Sequence, residues 1–407
     1  MHIGHTWSES REHLDPLTGR PVRRLTSAGL INMTPTYHTD SGFTADGEFL
    51  VFVSVREGAT WVLRAHVATG ELTALWRAPG VGDRNYIHRS MEQAGPGWDG
   101  RGICGNRLCL APRSGQTVFT CERALRAVDL RTHEERVLLA DCGEEWVFGA
   151  PAVDPTEAWV AIALSSAHPQ LLAGEAVTRA VTRDYRSYGD HRLRLVRVAL
   201  DGSGQVETLF EADHAGSAHC AFCPADPDLL YFDLDRAPHY WCGGDGVTPR
   251  VWLLHVGSGR AHPLRDEPLF QVHTAWLWDG SALAYHGALP GGGVYIGLTR
   301  PDGETIWEGK YPQARAYGHL TPDRTRPALV LDGDFSPDTL QWLYIDKLPA
   351  AAPRLEPICR HDTEWGSIQP GSQYTHPHPL ADPTGRWLAF NAARDGRQDV
   401  HVAAVSP

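Results

Sequence analysis

The chain has 407 residues, 42% of them hydrophobic and 21% charged, with a formal net charge of −12. That balance can fill a sizeable core, and no stretch approaches the apolar length that spans a bilayer. The acidic charge excludes nucleic acid as the main partner, and it obliges any anionic substrate to meet a local cluster of arginine or metal.

The opening run, Met1-His2-Ile3-Gly4-His5-Thr6-Trp7, lacks the basic-then-apolar pattern of a secretory leader, so the expected address is the cytoplasm. Further on, one unit recurs. A short extended run enters a turn rich in Asp, Pro and Gly, an apolar strand follows, and then a second strand and turn. The first copy reads Phe43-Thr-Ala-Asp-Gly-Glu-Phe-Leu-Val-Phe52; others occupy 110–119, 153–162, 222–232, 276–285, 320–330 and 380–390. Starts spaced by about 40–70 residues match the blade period of a β-propeller with insertions. Capped amphipathic helix patterns are nearly absent. The expectation is an all-β, seven-bladed β-propeller forming a single domain over 1–407, with the strand-like 21–26 run completing the last blade. A β-sandwich or two β domains would not explain seven evenly spaced copies.

Segments 78–107, 168–190 and 237–249 break the period and are expected to be long loops. The first carries Arg84, Tyr86, His88, Arg89 and Trp98, and the second Arg179, Arg183, Tyr185, Arg186 and Tyr188, which makes both candidate ligand loops. The eight cysteines are scattered. Cys220-Ala-Phe-Cys223 has no second CxxC to complete a zinc site, so buried free thiols are expected.

Near the C-terminus stands Gln373-Tyr-Thr-His-Pro-His-Pro379. In an extended run His376 and His378 project to one side, stiffened by Pro377, and Gln373 can join them if the backbone turns. Phase within the repeat gathers more imidazoles. His376 and His273 each lie six residues before the turn aspartates Asp382 and Asp279, while His378 and His319 lie four before Asp382 and Asp323. His219 and His38 precede their own turns similarly. Equivalent positions in a propeller share a height, so these rings should converge at one mouth. Imidazoles with an amide oxygen suit a transition metal better than calcium.

These residues resemble the oligogalacturonate lyases, seven-bladed propellers that carry manganese. The likeness is most specific at the ends, in Arg360-His-Asp-Thr-Glu-Trp365, Gln373-Tyr-Thr-His-Pro-His-Pro379, Gly396-Arg-Gln-Asp-Val400 and Gly19-Arg-Pro-Val-Arg-Arg-Leu-Thr26. The resemblance implies metal ligands at His273, Gln373, His376 and His378, a proton-abstracting base at His219 and a charge-neutralising arginine at Arg194. Arg192, His319, His38 and His239 are further candidates for substrate contact. The implied cofactor is Mn²⁺, with another divalent transition metal as the alternative, and the implied partner is an anionic oligosaccharide.

Chemistry fits those types. β-Elimination of a 4-linked uronate removes a weakly acidic C5 proton next to a carboxylate; metal and arginine stabilise the developing charge, and a neutral imidazole accepts the proton. His319 and Tyr37 are the guesses for protonating the leaving oxygen. Arg194 also reads as a strand-edge residue paired with an acid such as Asp190. Two other functions compete: a metal-dependent hydrolase on the same scaffold and a non-catalytic sugar- or protein-binding propeller. A prolyl-oligopeptidase-like enzyme is excluded by the missing GxSxG elbow.

Overall fold

The computed structural model describes residues 1–35, 42–82, 99–172, 190–217, 219–236, 249–267, 271–289, 292–314, 318–333, 335–336, 338–368 and 375–405. Gln373, His38, His239 and Tyr37 lie outside these residues, as do most of the three long-loop segments.

The repeat folds as small antiparallel sheets whose strands pair in chain order. One is built from Leu108–Ala111, Gln116–Cys121, Ala124–Asp129 and Glu135–Leu139, and others follow from Cys220–Cys223, Val272–Trp276 and Leu320–Pro322 onward. The first strands of successive sheets touch one another: Ala152–Val153 meets Cys220–Cys223, which meets Val272–Trp276, then Leu320–Pro322, then Leu380–Ala381. This is a propeller-type all-β arrangement. Neighbouring sheet faces share the core, as where Val51, Val62 and Leu75 pack with Leu108 and Phe119.

The repeated aspartate has a local job. Asp154 takes the backbone N–H groups of Ala158 and Trp159, both at 2.8 Å, and Asp382 takes those of Thr384 at 2.9 Å and Arg386 at 3.0 Å. A carboxylate that caps the turn backbone in this way fixes the hairpin between the first and second strands, which is why the sequence repeats it.

The expected 21–26 strand is present as Pro21–Arg24. It pairs with Arg397–Ala404 through Val22↔Ala403, Arg23↔Val402 and Arg24↔His401. Thr26 extends the join, its hydroxyl donating to Asp399 and accepting from the Val400 N–H. A single parallel bridge, Gln398↔Ile31, then links this last sheet to the first. Among the described residues the cysteines are mostly buried, and burial pushes the Cys220 thiol up to about 12. No helix of the described residues is long and apolar enough to cross a membrane.

Candidate metal centre

Every described histidine of the predicted cluster sits where a first strand begins. His219 precedes Cys220–Cys223, His273 lies within Val272–Trp276, His319 precedes Leu320–Pro322, and His376 and His378 precede Leu380–Ala381. Because these strands run side by side, their starts converge.

Three of the rings form a tight group. One ring nitrogen from each of His319, His376 and His378 lies within 4.8 Å of the others, and all three residues are buried. The His319 ring centroid is 4.2 Å from that of His378 and 5.3 Å from that of His376. Burial pushes the His376 imidazole down to about 3 and holds His319 and His378 well below the usual imidazole range. Neutral imidazoles offer lone pairs without a proton to displace, so this donor set fits a transition-metal ion. Gln373, the fourth residue of the motif, lies outside the described residues.

The run through His378 is not the extended segment that its sequence suggests. His378 adopts φ = 45°, a left-handed conformation uncommon for a residue with a side chain. Pro377 is tied down by the Asn391 N–H, which donates to its carbonyl at 2.7 Å. A non-glycine residue held in this region costs of order 1–3 kcal/mol and persists only where its surroundings impose it.

Asp332 imposes much of this geometry. It ends the strand Ala328–Asp332 and is fully buried. Its two oxygens each lie 3.0 Å from His319 Nδ1, and it also accepts the backbone N–H groups of His319 and, at 3.0 Å, His378. One carboxylate thus locks the His319 tautomer, with Nδ1–H donating, and holds the backbone of a second ring from the next sheet. Carboxylates behind metal-binding imidazoles commonly play this role.

The resemblance implies a ligand at His273; among the described residues His319 stands in the three-ring group and His273 packs against it, ring centroids 4.4 Å apart. The reason is local. A register irregularity between Val272 and Ala275 interrupts the strand pairing, and His273 inside it has φ = 53°. A bulge of this kind re-aims a side chain in a way that counting along a strand misses. His273 is partly exposed, and its Nδ1 contacts Nε2 of buried His286. Complete burial pushes the His286 imidazole down to about 4.

His219 is a second oriented imidazole, its Nδ1 3.0 Å from Asp233 Oδ2 and its side chain one quarter exposed. Burial raises the Asp233 carboxyl to about 6 against the opposing pull of the Arg250 guanidinium. Arg250 is itself buried, donating to Asp233 at 2.7 Å, Asp235 at 2.9 Å and the Gln271 carbonyl at 3.0 Å. It ties Asp233, the carboxylate behind His219, to Gln271, which directly precedes the strand that carries His273.

Asp233, His286, Asp332 and Arg250 are absent from the sequence reading. The first three do have a signal: each is a polar residue in the last part of an apolar second strand, 13 or 14 positions after a histidine.

Arg194 and Arg192 lie elsewhere. Both belong to Arg192–Ala199, which stands beyond Trp159–Ser166 in its sheet, and both guanidinium groups lie over the Trp146 ring. Arg194 pairs with Glu211 at 2.6 Å, and its side chain is 39% exposed. The partner is an acid across the hairpin rather than Asp190. Exposed pairs of this type are worth about 0–1 kcal/mol. Arg194→Ala is therefore expected to keep kcat/KM within about fivefold of the parent and to lower stability by less than about 1 kcal/mol. Steady-state kinetics and thermal melts check this; loss of activity with metal still bound would return Arg194 to the substrate.

His361 offers a test of acid stability away from the three rings. It is 3% exposed, and burial, assisted by Arg360 and Arg394, pushes it down to about 3. Its Nδ1 accepts the Thr363 N–H at 3.1 Å, a bond that needs the lone pair. The unfolded chain takes up this proton near pH 6.5, so the stabilisation is full above that pH. It is lost at about 1.4 kcal/mol per pH unit as pH falls from there toward the folded value. His361→Asn, whose amide oxygen can replace Nδ1, should flatten the pH dependence of denaturant unfolding by that slope; an unchanged slope would contradict the assignment.

No family model matches the chain. In sequence it is 25% identical over 226 residues to the oligogalacturonide lyase of Pectobacterium atrosepticum, covering 52% of this chain and 55% of that one. It is 23% identical over 225 residues to the oligogalacturonate lyase of Dickeya dadantii, with the same coverage. The chain thus spans about half the length of these curated relatives. In structure it resembles an oligogalacturonate lyase in complex with manganese, with TM-score 0.75 and 21% identity, covering 100% of this chain and 99% of that one. The oligogalacturonate lyase of Vibrio parahaemolyticus gives the same values. The fold is therefore shared along the full chain.

Proposed function

We propose that this chain is a metal-dependent lyase that cleaves short oligouronides, oligogalacturonate foremost, by β-elimination to a 4,5-unsaturated product. The observation that carries the reading is the buried three-imidazole group with a partly exposed fourth imidazole packed against it. The likeness to oligogalacturonide lyases in sequence and fold supports it. The scaffold in this reading is a seven-bladed propeller closed by Pro21–Arg24, supported by the pairing of first and last sheets.

His319, His376 and His378 would hold the ion, with Gln373 as the proposed fourth ligand and Mn²⁺ as the first choice. A bound divalent ion would polarise the uronate carboxylate and lower the cost of the charge that builds as the C5 proton leaves. Asp332 keeps His319 in one tautomer, so the group is organised before the ligand arrives. We place the base at His273. It is reachable from solvent and packs directly on His319, so a sugar carboxylate held at the three rings would bring C5 toward it. His219, with Asp233 behind it, is placed as a substrate-contacting residue on the flank. Arg250 clamps Asp233 and Asp235 and takes the structural part in this network, while Arg194 is left to Glu211.

Product mass separates the reaction classes. Elimination gives two fragments whose masses sum to the substrate, whereas hydrolysis adds one water. With digalacturonate and Mn²⁺ the first result is expected; the second would make the protein a hydrolase, and no product from any uronide would make it a binding protein. Within the lyase reading, His273→Ala should lower kcat by about 10²–10⁴-fold with metal retained. A larger loss in His219→Ala would move the base to His219.

A further inference from the structure

Three successive sheets share one device. A histidine stands at the start of the first strand, and a polar residue in the last part of the second strand holds its Nδ1: Asp233 for His219, His286 for His273 and Asp332 for His319. Where the partner is a carboxylate it can only accept, so the imidazole must offer Nδ1–H and carry its lone pair on Nε2. In the middle sheet an imidazole occupies the carboxylate's place. An imidazole can either donate or accept, so it specifies a tautomer only if something specifies its own.

The Gly318 carbonyl does so. It accepts a ring N–H from His286. Since His286 Nε2 faces His273, the donating nitrogen is Nδ1, and Nε2 carries the lone pair. The opposite arrangement would turn a lone pair of His286 toward the carbonyl oxygen. His273 must then donate Nδ1–H to His286, which leaves the lone pair of His273 on Nε2.

We propose that His286 is a positioning residue: a relay from the Gly318 carbonyl through His286 fixes His273 as the Nδ1–H tautomer, with Nε2 poised to accept a proton. The proposal rests on the reading of His273 as the base. It assigns His286 the task that a carboxylate performs in the two flanking sheets, without adding a charge beside the three-imidazole group. Gly318 directly precedes His319, so the relay is anchored to the same backbone that carries a metal-binding ring.

The test compares His286→Ala, His286→Gln and His273→Ala. The Gln side-chain oxygen can accept where Nε2 does, so His286→Gln should keep kcat within about threefold. His286→Ala should lose about 10- to 100-fold, the usual cost of removing an orienting partner. In both, KM and Mn²⁺ affinity by calorimetry should stay within about twofold of the parent. Histidine ¹⁵N spectra of the diamagnetic zinc-loaded protein should show His273 protonated at Nδ1 in the parent and in His286→Gln, and a tautomer mixture in His286→Ala. A parent His273 protonated at Nε2, or a tautomer and kcat unmoved by His286→Ala, would overturn the proposal. Undiminished kcat in His273→Ala would instead remove the base assignment, while the spectra still decide the tautomer.

Discussion

His376→Ala folds but fails to retain Mn²⁺, and its turnover of digalacturonate falls to background. This result is expected because the binding group has three rings, all buried and all held neutral by burial. Losing one leaves two nitrogens, and the gap cannot be closed by movement of His319, which is fixed through Asp332 on its far side. The drop in affinity should exceed the roughly 10–100-fold that follows loss of an outer partner. Calorimetric titration of metal-free protein measures it, and circular dichroism checks the fold. Parent-like affinity in His376→Ala would mean that the three rings are packing, not a binding group.

Asp332→Asn is the second large effect. The carboxylate accepts two backbone N–H groups and the His319 Nδ1–H. An amide turns an NH₂ toward one of those donors, so at least one of the bonds is lost. Mn²⁺ affinity is expected to fall by about 10–100-fold through misorientation of His319 and His378. Asp332→Ala leaves all three donors without this acceptor in a buried place, at about 1–3 kcal/mol each, and should lower the melting temperature as well. The pair of variants separates orientation from stability: Asp332→Asn that melts like the parent but binds metal as weakly as predicted isolates orientation. Unchanged affinity in Asp332→Asn would contradict that role.

The architecture was legible in the sequence because the chain repeats the part that costs most to vary. The turn aspartate must accept several N–H groups at once, so copies at 153–162 and 380–390 keep it although the strands around it drift. The convergence of His319, His376 and His378 was legible for the same reason, since phase relative to those turns sets height. The ligand role for His273 came from the resemblance rather than from phase, and the bulge there changes the direction of the chain without changing its phase. Arg194 shows a second limit. Alternation puts Arg192 and Arg194 on one face, but it does not say how far out in the sheet the strand lies, and that strand carries Glu211 opposite Arg194. Asp332 and His286 escaped notice because a polar residue late in an apolar strand looks like an ordinary approach to the strand end; only the fixed offset from a histidine marks it.

The most direct test of the account is the ultraviolet absorbance of chelated protein mixed with digalacturonate, followed before and after addition of Mn²⁺. The account predicts a flat trace that rises on adding the metal, as the conjugated unsaturated uronate accumulates, and no rise with His376→Ala. A rise at the same rate with the chelator still in excess would contradict metal dependence, and a flat trace from metal-loaded protein with every uronide tried would contradict the lyase itself.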